Sequence, residues 1–282
     1  MNPKKLVYDY TIAVEGDVYR TMTEWSRLLG LLRELGPVLM VSRTESAILG
    51  RHLVYPRFEF VNNHIATSCL SSDSLGMLQH NLALWEEGWV WKESVDGVSI
   101  EAFEFADMLG RGVHKVCATE STDLRAWEQV VRESCTHASD AFDLLHLRKT
   151  NHLDVDTRID EVSERHAVTQ RFLDLFNAAG VRAAVIGIVI PNPASTIGGC
   201  FVPSQIQLDG PWVKMETATG ELFFFKPCRI SEIVPVGLSQ TIPGVPTFQL
   251  DCLDSEGDSV FQMFLCQDAL VKEIEELLAS CH

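Results

Sequence analysis

The residues of this chain with most chemistry to offer are nine histidines, eight cysteines and a crowded run of tryptophans. Histidines stand at 52, 64, 80, 114, 137, 146, 152, 166 and 282. An imidazole nitrogen ligates transition metals and moves protons near neutral pH. Four of the nine, His137, His146, His152 and His166, concentrate in one central stretch. His146 and His152 are too far apart on a helix to form an i, i+4 metal pair. The cysteines fall at 69, 117, 135, 200, 228, 252, 266 and 281, and no two form a Cys-x-x-Cys pair. A zinc ribbon or a thioredoxin-like centre is therefore not expected. Thr196 to Cys200 holds a Gly-Gly pair but lacks the lysine of a phosphate loop and the spacing of a dinucleotide fingerprint. There is no Gly-x-Ser-x-Gly elbow. His-Glu-x-x-His and Asp-x-Asp calcium loops are absent too. Carboxylate pairs such as Glu86–Glu87 and Glu275–Glu276 read as solvated faces. Spacing alone names no active site.

Bulk properties narrow the function class. The net charge is −16. A surface of that sign disfavours nucleic acid and anionic lipid, both of which need clustered cations. No apolar run approaches the ~20 residues needed to cross a bilayer. The longest, Val181 to Ile190, contains Arg182 and Gly187 and reads as a buried strand. Cys117, Cys252 and Cys266 lie in or beside apolar strands, where cysteine acts as a small hydrophobe. The pattern, with no signal peptide, predicts a cytoplasmic protein in a reducing compartment. A chain of 282 residues has ample core and needs no staples.

The elements that must position any site follow from periodicity. Trp25, Leu28, Leu29, Leu32 and Leu35 make one face of a helix over 23–35, with Thr23 as its expected N-cap, Gly36 as its stop and Pro37 beyond. Strands are predicted at 57–61, 64–70, 83–91 and 98–105, with Trp89 and Trp91 on one face. Asp123 caps a helix bearing Leu124, Trp127 and Val131 on one side. The stretch 139–179 reads as helical, ending at Gly180 in the C′ position. A second run of strands follows at 183–190, 204–208, 212–216, 221–225 and 229–236. Asp268 is the expected cap of a last helix carrying Leu270, Ile274, Leu277 and Leu278.

One strand–turn–strand pattern occurs twice, at 100–116 and 245–263. Aligning Phe103 with Phe248 and Val116 with Met263 makes the second turn two residues longer. This is an internal duplication. The fold class is α+β: two antiparallel-sheet halves, each flanked by helices, packed as a pseudo-dimer. The expected divisions are a leading segment 1–20, a first repeat 21–135, central helices 136–180 and a second repeat 181–282.

The duplicated pattern resembles the HemS/ChuX haemin-utilisation family. Four stretches carry the likeness. Leu35–Arg43 opens the first sheet. Gly112-Val113-His114-Lys115-Val116, with Thr119–Leu124 and Trp127 after it, is the most specific. Gly210-Pro211-Trp212-Val213, with the strand toward Ile230-Ser231-Glu232, and Ser259–Phe264 lie in the second half. The resemblance implies a HemS/ChuS-like fold and haem as ligand. It places the family's axial histidine at Phe142. His146 lies one turn later on the same helical face and is the candidate iron ligand. The family's strand arginine falls near Gln79, with His80 beside it as a candidate across the cleft. Basic positions for the haem propionates fall on Gly237 and Leu238, and a tyrosine falls on Phe264. Gln262, Arg148 and Lys149 are the candidate polar contacts.

The leading expectation is a haem-binding carrier of haem iron utilisation, taking haem or another planar molecule and handing it to a haem-accepting or reductase protein. A family fold that has lost haem and serves as an interaction or regulatory module is the alternative. A haem-degrading enzyme using an external reductant is the third reading.

Overall fold

A computed structural model describes residues 18–62, 64–70, 76–95, 98–137, 162–242, 245–265 and 270–279. The expected cap Asp268 and the central residues Phe142, His146, Arg148, Lys149 and His152 lie outside them.

The first half begins with β1 (Val18–Thr21), α1 (Trp25–Leu32), β2 (Pro37–Arg43) and β3 (Ala47–Val54). A meander β4 (Glu59–Val61), β5 (Ile65–Leu70) and β6 (Gly76–Asn81) follows. Next come β7 (Glu87–Val95), β8 (Val98–Ala106), β9 (Gly112–Ala118), α2 (Leu124–Ser134) and β10 (Cys135–His137). The second half repeats the plan. It runs α3 (Val162–Val181), β11 (Ile186–Ile190) and β12 (Ser195–Phe201). The meander β13 (Pro203–Asp209), β14 (Trp212–Thr217), β15 (Leu222–Phe225) leads to β16 (Glu232–Ile242), β17 (Val245–Leu253), β18 (Ser259–Leu265) and α4 (Val271–Ala279).

Each half lends its meander to the other. One sheet runs β10-β1-β7-β8-β9-β2-β3-β15-β14-β13 and the other β16-β17-β18-β11-β12-β6-β5-β4. The repeats therefore meet along two ladders, β3–β15 and β6–β12. The two sheets face each other across a common core. Phe172 and Phe176 of α3 reach Phe223 and Phe225 of the first sheet, and Phe172 also reaches Phe261 of the second. On α1, Trp25 sits edge-on to Trp85 and Phe105. On α2, Trp127 packs on Phe103.

The repeated hairpins correspond more closely than the sequence alignment implied. Asp107 and Asp254 play one role. Each accepts two backbone N–H bonds on Oδ1, from Leu109 and Arg111 and from Glu256 and Asp258 respectively. Gly110 and Gly257 both take positive φ, 71° and 85°. The two turns are equal in length. The ladders place Val116 opposite Phe103 and Met263 opposite Leu250, so Phe103 corresponds to Leu250 rather than Phe248. The slip of two residues kept every side chain on its correct face, which is why hydrophobicity did not reveal it.

Local chemistry explains other differences. Asp123 caps α2 as expected, accepting from the N–H groups of Arg125 and Ala126. Thr23 does not cap α1; Glu24 stands there without a side-chain bond. Gly36 turns with φ 72°, whereas the matching positive φ after α3 belongs to Ala183 at 51°. Gly180 is not the helix stop but part of α3. A Cβ there would come within 2.8 Å of the Pro203 carbonyl oxygen. Gly180→Ala is expected to lose up to about 2 kcal/mol net, an overpacking cost of about 1–3 kcal/mol less a helix gain of ~1 kcal/mol. Urea unfolding, read as a lower midpoint at unchanged slope, checks this.

Candidate ligand-binding face

The two sheets have repeat-equivalent outer faces. In each, a valine pairs with a glycine at the centre: Val41 with Gly50, and Val189 with Gly198. Direct antiparallel partners point to the same side. Following the ladders outward from Gly198 therefore gathers Gln79 on β6, Thr196 and Cys200 on β12, Gly187 on β11, Gln262 and Phe264 on β18, and Gln249 and Asp251 on β17.

What fills the two faces differs. On the ten-stranded sheet, Leu39, Val41, Ile48, Leu222 and Phe224 join Trp89 and Trp91 in a buried apolar cluster. Cys117 lies in the same cluster, where burial pushes its thiol up to about 11. On the eight-stranded sheet, Gly187 stands where the other face has Leu39, and Thr196 where it has Ile48. A Cβ on Gly198 would lie 2.8 Å from Val189 Cγ2, and one on Gly187 3.0 Å from Phe264 Cβ. The glycines thus make a floor between Met77, Val189, Cys200 and Phe264. Gln79, Gln249, Gln262 and Phe264 are half-buried around it.

The electrostatics of this face are neutral to acidic. None of the eight strands of that sheet contains a lysine or arginine. Asp251 Oδ1 is buried and has no hydrogen-bond partner among the described residues. Among the described side chains of the face, Cys200 and Met77 are of types that ligate haem iron. No group of three or more metal-ligating side chains occurs among the described residues.

Of the residues singled out from sequence, Gln79, Gln262 and Phe264 come together on this face. His80 does not. It follows Gln79 on β6, and the alternation of a strand turns it inward. Its ring is fully buried between the sheets. Nδ1 lies 2.9 Å from Ser195 Oγ, and Nε2 lies 3.2 Å from the Tyr55 hydroxyl. Tyr55 in turn lies 3.2 Å from His114 Nε2. With both nitrogens engaged and no solvent, His80 presents no ligand position to the outer face. Gly237 and Leu238 lie on β16, the edge strand. His146, Arg148 and Lys149 fall outside the described residues.

Burial pulls the proton affinity of both rings down. His80 is well below its ordinary value, first through burial and then through His114. His114 falls to about 3 through burial, opposed by the Val41 backbone. Its Nδ1 makes no hydrogen bond of ordinary geometry among the described residues.

Arg51 was missed by the sequence reading. It is 1% exposed and points between the sheets. Its Nη1 donates to the Gly198 carbonyl at 3.0 Å, and Nη2 meets Glu221 at 3.2 Å. Gly199 lies under the guanidinium, 2.7 Å from where its Cβ would be. One glycine of the pair therefore receives Arg51 on the inner side, while the other keeps the outer floor open.

Residues 8–134 match the family described as the haemin-degrading HemS.ChuX domain. No curated protein sequence matches the chain. Among solved structures, the chain is similar to holo-PhuS, a heme-binding protein from Pseudomonas aeruginosa. The TM-score is 0.71 at 18% identity, over 92% of this chain and 86% of that one. It is also similar to ChuS, an Escherichia coli heme oxygenase, with TM-score 0.71 at 16% identity over 93% and 89%. Residues 8–134 thus match that domain, and the chain as a whole has the duplicated two-sheet fold of these structures.

Proposed function

We propose that this protein binds one haem on the outer face of its eight-stranded sheet and acts as a haem carrier. The observation that carries the reading is the asymmetry of the two repeat-equivalent faces. One is filled by its own leucine, isoleucine, phenylalanine and tryptophan side chains. The other keeps a glycine floor rimmed by half-buried amides and Phe264. A flat macrocycle stacks on such a floor, burying apolar area at about 25 cal/mol per Å². The family and the named relatives, a heme-binding protein and a heme oxygenase, support haem over other planar ligands.

The residues fit the ring better than its carboxylates. Gln79 and Gln262 offer neutral donors, and cations for the propionates have to come from off the sheet. Arg148 and Lys149 are the candidates, and His146 is the candidate iron ligand. When bound, haem supplies an iron centre whose behaviour follows its axial ligand. This chain's residues exclude water from one ring face and orient it through the amides.

The lack of cations on the sheet also favours a second reading, a family fold kept as an interaction module. Haemin titration separates the two. The carrier reading expects a sharp Soret endpoint at one haemin per chain. In His146→Ala the ligand-field bands should shift and affinity should fall by at least about tenfold. An unchanged spectrum in that variant would reassign the ligand. A shallow drift in the wild type would favour the interaction module. Bilin formation with an added reductant would favour the degrading enzyme.

A further inference from the structure

The buried residues behind the proposed ligand face are the other side of its own strands. Gln79 and Thr196 pair on the outside; His80 and Ser195 pair one step along on the inside. β6 comes from the first repeat and β12 from the second, and their ladder is where the repeats meet in this sheet. The face spans that seam, with Gln79 on one side and Gln262 and Phe264 on the other. A shift at the seam would therefore change the shape of the face.

Five side chains close the seam from within. His80 is bonded to Ser195 across it, and Tyr55 links His80 to His114 on the first sheet. Ser42 on β2 donates to the Ser195 carbonyl and to Val113 O at 3.3 Å. The two imidazoles stand 4.6 Å apart, centre to centre. The other rings around them are neutral: Phe58 and Trp85 lie 5.2 and 4.8 Å from His80, and Phe105 lies 6.0 Å from His114. Among the described residues, Tyr55 and His114 are the titratable groups that face His80, and no carboxylate, lysine or arginine acts on either ring. One direction of donation completes the chain: Ser195 O–H to His80 Nδ1, His80 Nε2–H to Tyr55, and Tyr55 O–H to His114 Nε2. Protonating either ring leaves these contacts possible, since the hydroxyls can accept as well as donate. It places a charge wholly out of water with no carboxylate beside it among the described residues, and that charge is accommodated only when the strands part and water enters.

We propose that Ser195, His80, Tyr55 and His114 form a proton-sensitive latch that holds the β6–β12 seam and thereby the ligand face, and that protonation of a ring opens the seam and releases the ligand. The latch is a property of the protein alone; its effect on haem rests on the function proposed above.

Amide hydrogen exchange on the ligand-free chain tests the latch directly. Exchange at 76–81 and 195–201 is compared at about pH 7.5 and about pH 5.5, corrected for intrinsic rates. The expected result is at least tenfold faster opening of these two strands at the lower pH, with the β13–β14 ladder unchanged. In Tyr55→Phe, and in His80→Gln where that variant folds, the seam should be open at both values and lose its pH dependence. Equal corrected exchange at the two pH values would overturn the latch. So would equal opening of β13–β14, which would mean general unfolding. With haemin loaded, release should accelerate at least tenfold over the same interval in the wild type and less in Tyr55→Phe, which leaves His146 intact. Release equally steep in both would assign the effect to the iron ligand and overturn the coupling. Seam opening in a chain that binds no haemin would sustain the latch and defeat the haem reading.

Discussion

Replacing Arg51 with alanine is expected to cost about 3–5 kcal/mol of stability. Arg51 lies almost wholly out of water between the sheets, on a strand of the first repeat. Both of its partners belong to the second repeat: the Gly198 carbonyl and the Glu221 carboxylate. Alanine strips the carbonyl of its donor. It leaves Glu221, largely buried, with the hydroxyls of Thr217 and Thr219 as its remaining side-chain hydrogen-bond donors among the described residues. It also opens a cavity over Gly199. The loss should appear in urea unfolding as a lower midpoint. The double variant Arg51→Met, Glu221→Gln should recover much of it, because a buried ion pair replaced by neutral groups of similar size is often close to neutral. An Arg51→Ala loss under about 1 kcal/mol would mean the pair is solvated and does not tie the repeats together.

Acid should destabilise the protein before its carboxylates titrate. His80 and His114 both hold protons more weakly folded than unfolded, where the ordinary value is 6.5. The unfolded chain therefore binds more protons below that value. Stability is fully present above about pH 6.5 and is lost as pH falls toward about 3, the folded value of His114. Each ring contributes up to about 1.4 kcal/mol per pH unit in that window. Between pH 7 and 4.5 the two together should lose about 3–5 kcal/mol. Thermal or urea unfolding at a series of pH values measures it. His114→Gln should flatten the slope by roughly half. A wild-type curve level from pH 7 to 5 would contradict the burial of two neutral rings.

Much of the fold was legible because strand alternation and helical stripes are written in hydrophobic order. Asp123 with Trp127, the stripe of α1 and the repeated hairpin all show this. Five strands were not read: the short β1 and β10, and β3, β6 and β12. In β12 the Gly198–Gly199 pair breaks the apolar alternation and lowers strand propensity, although both glycines are there for close approach. In β3, Arg51 looks like a surface position until its partner strand is known. The site was half legible. Gln262 and Phe264 could be placed by resemblance to the family. Whether His80 or Gln79 faces outward depended on the register of β6, which its own residues do not fix. Tyr55 and Ser195 carry no local motif, and the stretch around His114 marked the fold without showing its partners, because their relation exists only where the two sheets meet. An expectation of two equivalent halves also hid the exchange of meanders, since β4–β6 read equally well in either sheet.

The most direct test places an obstacle in the middle of the proposed face. Val189 pairs with both Gly198 and Gln262. In Val189→Glu a carboxylate would stand where the macrocycle lies, on the same face as Asp251 two strands away and with no cation on the sheet. The account predicts that haemin titration gives a sharp Soret endpoint near one per wild-type chain. In the variant that endpoint should disappear, while cooperative unfolding persists. An undiminished endpoint in the folded variant would show that haem, if bound, sits elsewhere, and that the open glycine floor is not its site.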